Sequence, residues 1–336
     1  MKQESISRRE LASLLLLPLL PAEERQADIR TREDWRRLRE RTLAGMQQVM
    51  GPLPASPSTA PQIEVLEEER LAKCTRKRIN YDSGDGESVP AYLFIPHSQT
   101  SPNRAALCLH QTTRIGKAEP AGLGGKPNLH YALELAERSF VTLAPDYPNF
   151  GDYKYDPYSH GYVSATMKGI RNHRRALDLL TAMHEVDRRR IGVIGHSLGG
   201  HNALFLAAFD PRAAAVVTSC GFTSFPKYYG GNLTGWSHAG YMPRIASEYQ
   251  KSPAKMPFDF PAILQSLAPR PLFINAPVHD ANFDMSGVDD CVAAARQVYS
   301  NIFHASGKLR VVHPDCEHDF PPEVRSMAYE FLTTQM

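Results

Sequence analysis

The sequence predicts an α/β fold with a mostly parallel central sheet and helices on both faces. Three observations carry this. Short apolar runs typical of buried strands alternate with longer segments whose apolar residues recur at helical spacing. Two runs flanking Ser83-Gly84-Asp85-Gly86 read as a hairpin that adds antiparallel strands at one edge. A chain of 336 residues, 42% of them apolar, can bury one large core.

The elements follow in chain order. Residues 28–50 read as a helix, with Trp35, Leu38, Leu43 and Met46 at roughly helical spacing. Pro52, Pro54, Pro57 and Pro61 then exclude helix or central strand. Residues 23–61 are therefore expected to be a helical arm and a Pro-rich linker, and 62–336 the compact domain. Strands are expected at 76–82, 89–96, 105–110 and 140–144, with a helix at 128–138 before the last of these. A long helix at 164–186 carries Met167, Ile170, Leu177 and Leu180 on one face. A strand at 191–195, a helix at 198–209 and a sixth strand at 214–220 follow. Residues 221–268 form an aromatic-rich insertion after that sixth strand. A strand at 271–276, a helix at 288–300, a strand at 309–313 and a helix at 323–333 complete the pattern. No internal repeat is visible.

Charge and composition exclude several classes. With 38 basic and 36 acidic residues the formal net charge is +2, too balanced to point to nucleic acid. The densest basic stretch, 30–41, is interleaved with Glu33, Asp34 and Glu40 and reads as a solvated helix face. The five cysteines are odd in number and lack any Cys-x-x-Cys, so neither a disulfide framework nor a zinc finger is indicated. One disulfide stays open for an exported protein. No apolar run reaches the roughly 20 residues of a membrane span, so stable membrane insertion is not expected.

The N-terminus has its own layout. Lys2, Arg8 and Arg9 precede an apolar run over 11–20, as in a signal peptide, and Ser7-Arg8-Arg9-Glu10-Leu11 resembles a twin-arginine signal. Residues 1–22 therefore read as an export signal, leading to the periplasm or the exterior. Pro18 interrupts the run and no small-x-small cleavage site follows. A cytoplasmic protein with an amphipathic N-terminal helix is the alternative.

Gly195-His196-Ser197-Leu198-Gly199-Gly200 contains Gly-x-Ser-x-Gly. Three fixed positions in five occur often by chance. Here, however, they sit between an apolar strand and a helix, which throws Ser197 into a sharp turn at the carboxyl edge of the sheet. A Cβ at Gly195 or Gly199 would crowd that turn. The hydroxyl stands at a helix N-terminus, where backbone N–H groups favour negative charge. The competing reading is a glycine-rich helix start with a capping serine.

With these residues in hand the chain resembles the α/β-hydrolase superfamily, and within it the dienelactone-hydrolase-like and acetyl-esterase-like branch. The resemblance spans about 76–336. It rests on the Ser197 turn, Leu107-Cys108-Leu109-His110-Gln111-Thr112, Ala144-Pro145-Asp146-Tyr147 and Glu317-His318-Asp319-Phe320-Pro321. Dienelactone hydrolases proper carry a cysteine where this chain has Ser197, so the resemblance implies an ester hydrolase. It also implies the chain order nucleophile, acid, histidine. His318, in the loop before the last helix, is the expected base, with His313 the alternative. Asp280 fits the acid position after the 271–276 strand, with Asp284 as rival. The implied oxyanion donors are the backbone N–H groups of Leu198 and Gln111. A small-molecule ester is the expected substrate.

The 221–268 insertion holds Tyr228, Tyr229, Trp236 and Tyr241, taken as substrate-binding residues in a pocket wall; a cluster merely packed on the sheet is the competing reading. His313-Pro314-Asp315-Cys316-Glu317-His318 contains ligand types but matches no zinc spacing. Gly122-Leu123-Gly124-Gly125-Lys126-Pro127 lacks the Ser or Thr of a phosphate loop. No metal and no cofactor is expected. A serine peptidase of the prolyl-oligopeptidase type shares the fold and residue order, but the stretch before the core cannot supply a β-propeller. A binding protein on a decayed scaffold would not be expected to keep Ser197, Asp280 and His318 together.

Overall fold

The computed structural model describes residues 29–97 and 101–336. The stretch 1–22, expected to be an export signal, lies outside them. Helix α1 (Arg32–Met50) opens on a capping box between Thr31 and Asp34. The chain then builds β1 (Ile63–Arg70), β2 (Cys74–Asp82), β3 (Ser88–Pro96), β4 (Asn103–Leu109), α2 (Tyr131–Ala136) and β5 (Val141–Pro145). Next come α3 (Ala165–Ala182), β6 (Val186–His196), α4 (Leu198–Phe209) and β7 (Ala215–Ser219). The last part holds α5 (Arg244–Ser247), α6 (Phe260–Leu267), β8 (Leu272–Asn275), α7 (Met285–Gln297), β9 (Leu309–Val312) and α8 (Pro322–Gln335).

Among the described residues the strands form one nine-stranded sheet in the order β1-β2-β3-β5-β4-β6-β7-β8-β9. β1, β2, β3 and β5 pair antiparallel in turn, and every pair from β5 through β4 to β9 is parallel. The two-residue strand period sorts side chains onto two cores. Leu107, Val193, Val216 and Ile274 face a layer made by α1, α3, α4, α6 and α7. Ala106, Cys108, Ile194, Val217 and Phe273 face α2 and α8. Helix α4 is buried from Leu198 to Ala208 because it lies between the sheet and neighbouring helices of the first layer.

The structure departs from expectation at β1 and at the end of α3. Strand β1 was not foreseen, because all eight of its residues are exposed and glutamates break any alternation. It is held at the sheet edge by its ladder to β2 and by Glu67, Glu68 and Glu69 paired across to Arg78, Lys77 and Arg76. With β1 counted, the aromatic insertion follows the seventh strand rather than the sixth. The helix expected at 164–186 ends at Ala182, and β6 already begins at Val186. The Pro-rich arm is clamped along α3, whose Arg174 and Arg175 donate to the carbonyls of Pro54 at 3.3 Å and Thr59 at 2.9 Å. All five cysteines are free. Among the described residues no helix is long and apolar enough to cross a membrane.

Candidate active site

The strand-turn-helix around Ser197 forces its geometry. β6 ends at His196 and α4 begins at Leu198, leaving Ser197 at φ 53° and ψ −116°, a region that a side-chain-bearing residue rarely adopts. Its N–H donates to the Ser219 carbonyl at 2.8 Å, and its own carbonyl accepts from His201 N–H at 3.2 Å. The flanking glycines are needed for close approach. A Cβ on Gly199 would lie 1.8 Å from the Leu109 carbonyl oxygen, and one on Gly195 would lie 2.2 Å from the Gly199 oxygen. The turn is thereby pressed against the end of β4.

His318 sits between β9 and α8, and Asp280 in the loop after β8. Parallel pairing of β8 with β9 brings these two loops together. His318 Nδ1 lies 2.9 Å from each oxygen of the Asp280 carboxylate. Asp280 Oδ1 also accepts the N–H groups of Asn282 at 2.8 Å and Phe283 at 3.2 Å, and its side chain is 1% exposed. A carboxylate facing Nδ1 keeps the proton there and leaves Nε2 with a lone pair. His318 and Ser197 line the same cleft.

The alternatives are occupied elsewhere. Asp284 caps α7, accepting from Gly287 N–H, and the Ser286 hydroxyl holds its carboxyl below the usual range. His313 bonds the Ala276 carbonyl through Nδ1 at 2.8 Å and faces Asp289 through Nε2 at 3.2 Å. Asp319 does not line the cleft and accepts from Asn128 Nδ2 at 2.6 Å.

The loop after β4 is braced by His110. Tyr147 N–H donates to His110 Nε2 at 3.0 Å, so Nδ1 carries the proton and donates to the Gln111 carbonyl at 2.6 Å. Burial lowers the His110 pKa and keeps the ring neutral. Gln111 Nε2 reaches Glu119 Oε1 at 3.1 Å, and the buried Lys117 ammonium sits 2.7 Å from Asp146. Leu198 opens α4, so its N–H belongs to the first turn, where helices leave donors free. Gln111 and Leu198 both line the cleft.

The cleft encloses about 370 Å³. Of the four aromatic residues singled out from sequence, Tyr228, Trp236 and Tyr241 line it. Tyr229 does not; it is 58% exposed, and its hydroxyl donates to Asn282 Oδ1 at 2.9 Å. Part of the insertion thus lines the cleft and part packs on the sheet. Phe222, Phe225, Phe258 and Phe260 pack together in the core. Sequence reasoning missed His201, which lines the cleft one helical turn after Ser197; the i, i+4 spacing on α4 is the signal that could have found it. Burial lowers its pKa to about 3, so the ring is neutral. Also missed is a group of three potential metal ligands, His196, Cys220 and His318, whose ligand atoms lie within 4.8 Å of one another. They are scattered in sequence and meet only at the carboxyl edge of the sheet.

The aromatic wall has a titratable anchor. Asp259 caps α6 and accepts from the N–H groups of Phe225 at 3.0 Å and Phe260 at 2.6 Å. Burial pushes its carboxyl up to about 6 from 3.8. A folded pKa above the unfolded one means a stabilising contribution that is full below about 4 and lost as pH rises through about 6. Across that window Asp259→Asn is expected to flatten the pH dependence of unfolding by at most about 3 kcal/mol. Urea denaturation of both proteins at stepped pH checks this, and parallel curves would refute it.

Comparison with known proteins places the chain. An uncharacterized protein of Pseudomonas aeruginosa is 31% identical over 148 residues, which are 44% of this chain and 37% of that protein. The putative hydrolase YtaP of Bacillus subtilis is 27% identical over 283 residues, covering 80% of this chain and 91% of the relative. The chain therefore spans little more than a third of one relative and nearly all of the other. Among solved structures, a glucuronoyl esterase from Solibacter usitatus superimposes with a TM-score of 0.72 at 20% identity, covering 90% of this chain and 93% of that one. The sequence pattern of the Alpha/beta hydrolase family matches residues 122–329, and with the sheet order above it establishes that the chain belongs to that family.

Proposed function

We propose that the protein is a serine carboxylic-ester hydrolase that works through an acyl-enzyme on a small or carbohydrate-linked ester. One observation carries the reading: His318, bonded through Nδ1 to buried Asp280, lines the same cleft as Ser197 at its strained turn. Ser197 Oγ attacks the ester carbonyl carbon while His318 Nε2 takes its proton. The negative charge that develops on the carbonyl oxygen is met by the N–H groups of Gln111 and Leu198. As the tetrahedral intermediate collapses, the imidazolium returns the proton to the departing alkoxide, leaving an ester on Ser197. Water, deprotonated by the same ring, then releases the acid and restores the hydroxyl. Asp280 stabilises the imidazolium in both steps.

The cleft volume and the Tyr228, Trp236 and Tyr241 wall support a compact acyl group. The carbohydrate side of the proposal rests on the fold shared with the Solibacter glucuronoyl esterase and on aromatic surfaces suited to sugar rings. Export is part of the same reading, supported by Lys2, Arg8 and Arg9 ahead of the apolar run. A fluorophosphonate probe is expected to leave a single adduct on the Ser197 peptide by mass spectrometry. Turnover of aryl esters is expected to fall by about tenfold or more from acetyl to octanoyl, as the longer chain outgrows the cleft. An adduct elsewhere, or none, refutes the serine mechanism; a rising acyl-length profile refutes the compact acyl pocket.

A further inference from the structure

We propose that His196, Cys220 and His318 form an inhibitory site for a thiophilic divalent cation of the zinc and cadmium class. Its effect on turnover rests on the ester-hydrolase reading, whereas its existence as a binding site does not.

Two imidazoles and a thiolate are a preferred donor set for such ions. The three ligand atoms lie within 4.8 Å of one another, whereas donors around a tetrahedral zinc stand roughly 3.5 Å apart. A contraction of about 1 Å therefore completes three corners of a tetrahedron.

Each donor is oriented by neighbours of its own, the Cys220 thiol by the Asp319 carbonyl, to which it donates at 3.4 Å. His196 Nδ1 shares a 2.8 Å hydrogen bond with Ser219 Oγ, which also accepts from Asn275 Nδ2 at 2.8 Å. The opposite nitrogen, Nε2, is buried and has no hydrogen-bond partner. Burial and the neighbouring His318 hold the His196 pKa well below its ordinary value, so the ring is neutral. With its proton on Nδ1, facing Ser219, it offers a lone pair at Nε2. The His318 ring lies beside it, with centroids 4.8 Å apart. His318 is oriented by Asp280 through Nδ1, the carboxylate-histidine pairing that commonly supports a metal-bound imidazole. Cys220 completes the set from the end of β7. Its backbone is held at φ 47°, and its N–H donates to the Asn275 carbonyl at 2.9 Å. Parallel register places His196 beside Ser219, which brings Cys220, the next residue, to the same edge.

The thiol is inert without a metal, because burial and nearby Asp280 raise its pKa. Binding forms a metal–sulfur bond and breaks the S–H bond, and the proton leaves to solvent. An ion held by the His318 imidazole leaves that ring unable to take the proton from Ser197. The ion would enter along the cleft, since the His318 side chain is 17% exposed. Nothing in the proposed chemistry needs a metal, so chelation should restore activity and never remove it.

The test uses Co²⁺ and Zn²⁺ on the full chain. In Ser197→Ala protein, Co²⁺ is expected to give a thiolate-to-cobalt charge-transfer band that disappears in Ser197→Ala/Cys220→Ser. In protein with Ser197 intact, Zn²⁺ is expected to inhibit aryl-acetate hydrolysis reversibly to EDTA. Cys220→Ser should raise the inhibitory concentration by about tenfold or more while keeping metal-free turnover. Circular dichroism confirms folding, and Cys220→Ala replaces the serine variant if that one misfolds. Absence of the band, or an inhibitory concentration unchanged by loss of the thiol, overturns the site. The band in Ser197→Ala protein together with no esterase activity in protein that keeps Ser197 supports the site and refutes the ester-hydrolase reading instead.

Discussion

Ser197→Ala is expected to lower ester turnover by roughly four to six orders of magnitude without unfolding the protein. That loss corresponds to about 5–8 kcal/mol of transition-state stabilisation. The variant keeps the Gly195 and Gly199 approaches, the Ser197 N–H bond to Ser219 and the α4 N-terminus, all of which are backbone features. What it removes is the oxygen that forms the acyl-enzyme in the proposed mechanism. The alanine still occupies φ 53°, so the strain of the turn remains and stability should hardly move. Ser197→Gly separates the two roles. It should be equally inactive yet more stable by about 1 kcal/mol, because glycine enters that region at no steric cost. Steady-state kinetics with an aryl acetate and urea denaturation measure both effects. A folded Ser197→Ala protein turning over at near wild-type rate would sink the mechanism.

What could be read from the sequence was what lies close together in it. The Ser197 turn was legible because strand, serine and helix are contiguous and each has its own signature. The sheet was legible from apolar runs, since β4, β6, β7 and β8 are buried along most or all of their length. β1 was hidden because an edge strand held by glutamate–arginine pairs looks like a solvated loop. Neighbours in the aromatic insertion could not be sorted. Tyr228 and Tyr229 are adjacent and chemically identical, yet one lines the cleft and the other faces solvent. What divides them is a left-handed backbone at Tyr229, φ 46°, which no residue type there announces. The His196, Cys220 and His318 group was invisible for another reason: strand order, not sequence distance, decides which carboxyl ends meet.

Asp280 and Asp284 carry the same carboxylate four positions apart, and the surroundings of each give opposite expectations. Asp280 receives His318 Nδ1 on both oxygens and two backbone N–H groups on one of them, with its side chain 1% exposed. In Asp280→Asn an amide NH₂ turned towards the ring would donate to Nδ1. The imidazole proton then moves to Nε2, where in the proposed mechanism it blocks uptake of the Ser197 proton. The positive charge formed in the transition state also loses its counter-ion. Turnover should fall by roughly two to four orders of magnitude, with a much smaller change in KM. Asp284 instead accepts from Gly287 N–H as the cap of α7, a task that asparagine performs about as well. Asp284→Asn should therefore cost less than about tenfold in turnover and under about 1 kcal/mol in stability. Kinetics on both purified variants, with circular dichroism to establish folding, decides between them. The reverse ranking would transfer the acid to Asp284 and require the 280–284 loop to rearrange when substrate binds, while Ser197 and His318 kept their parts.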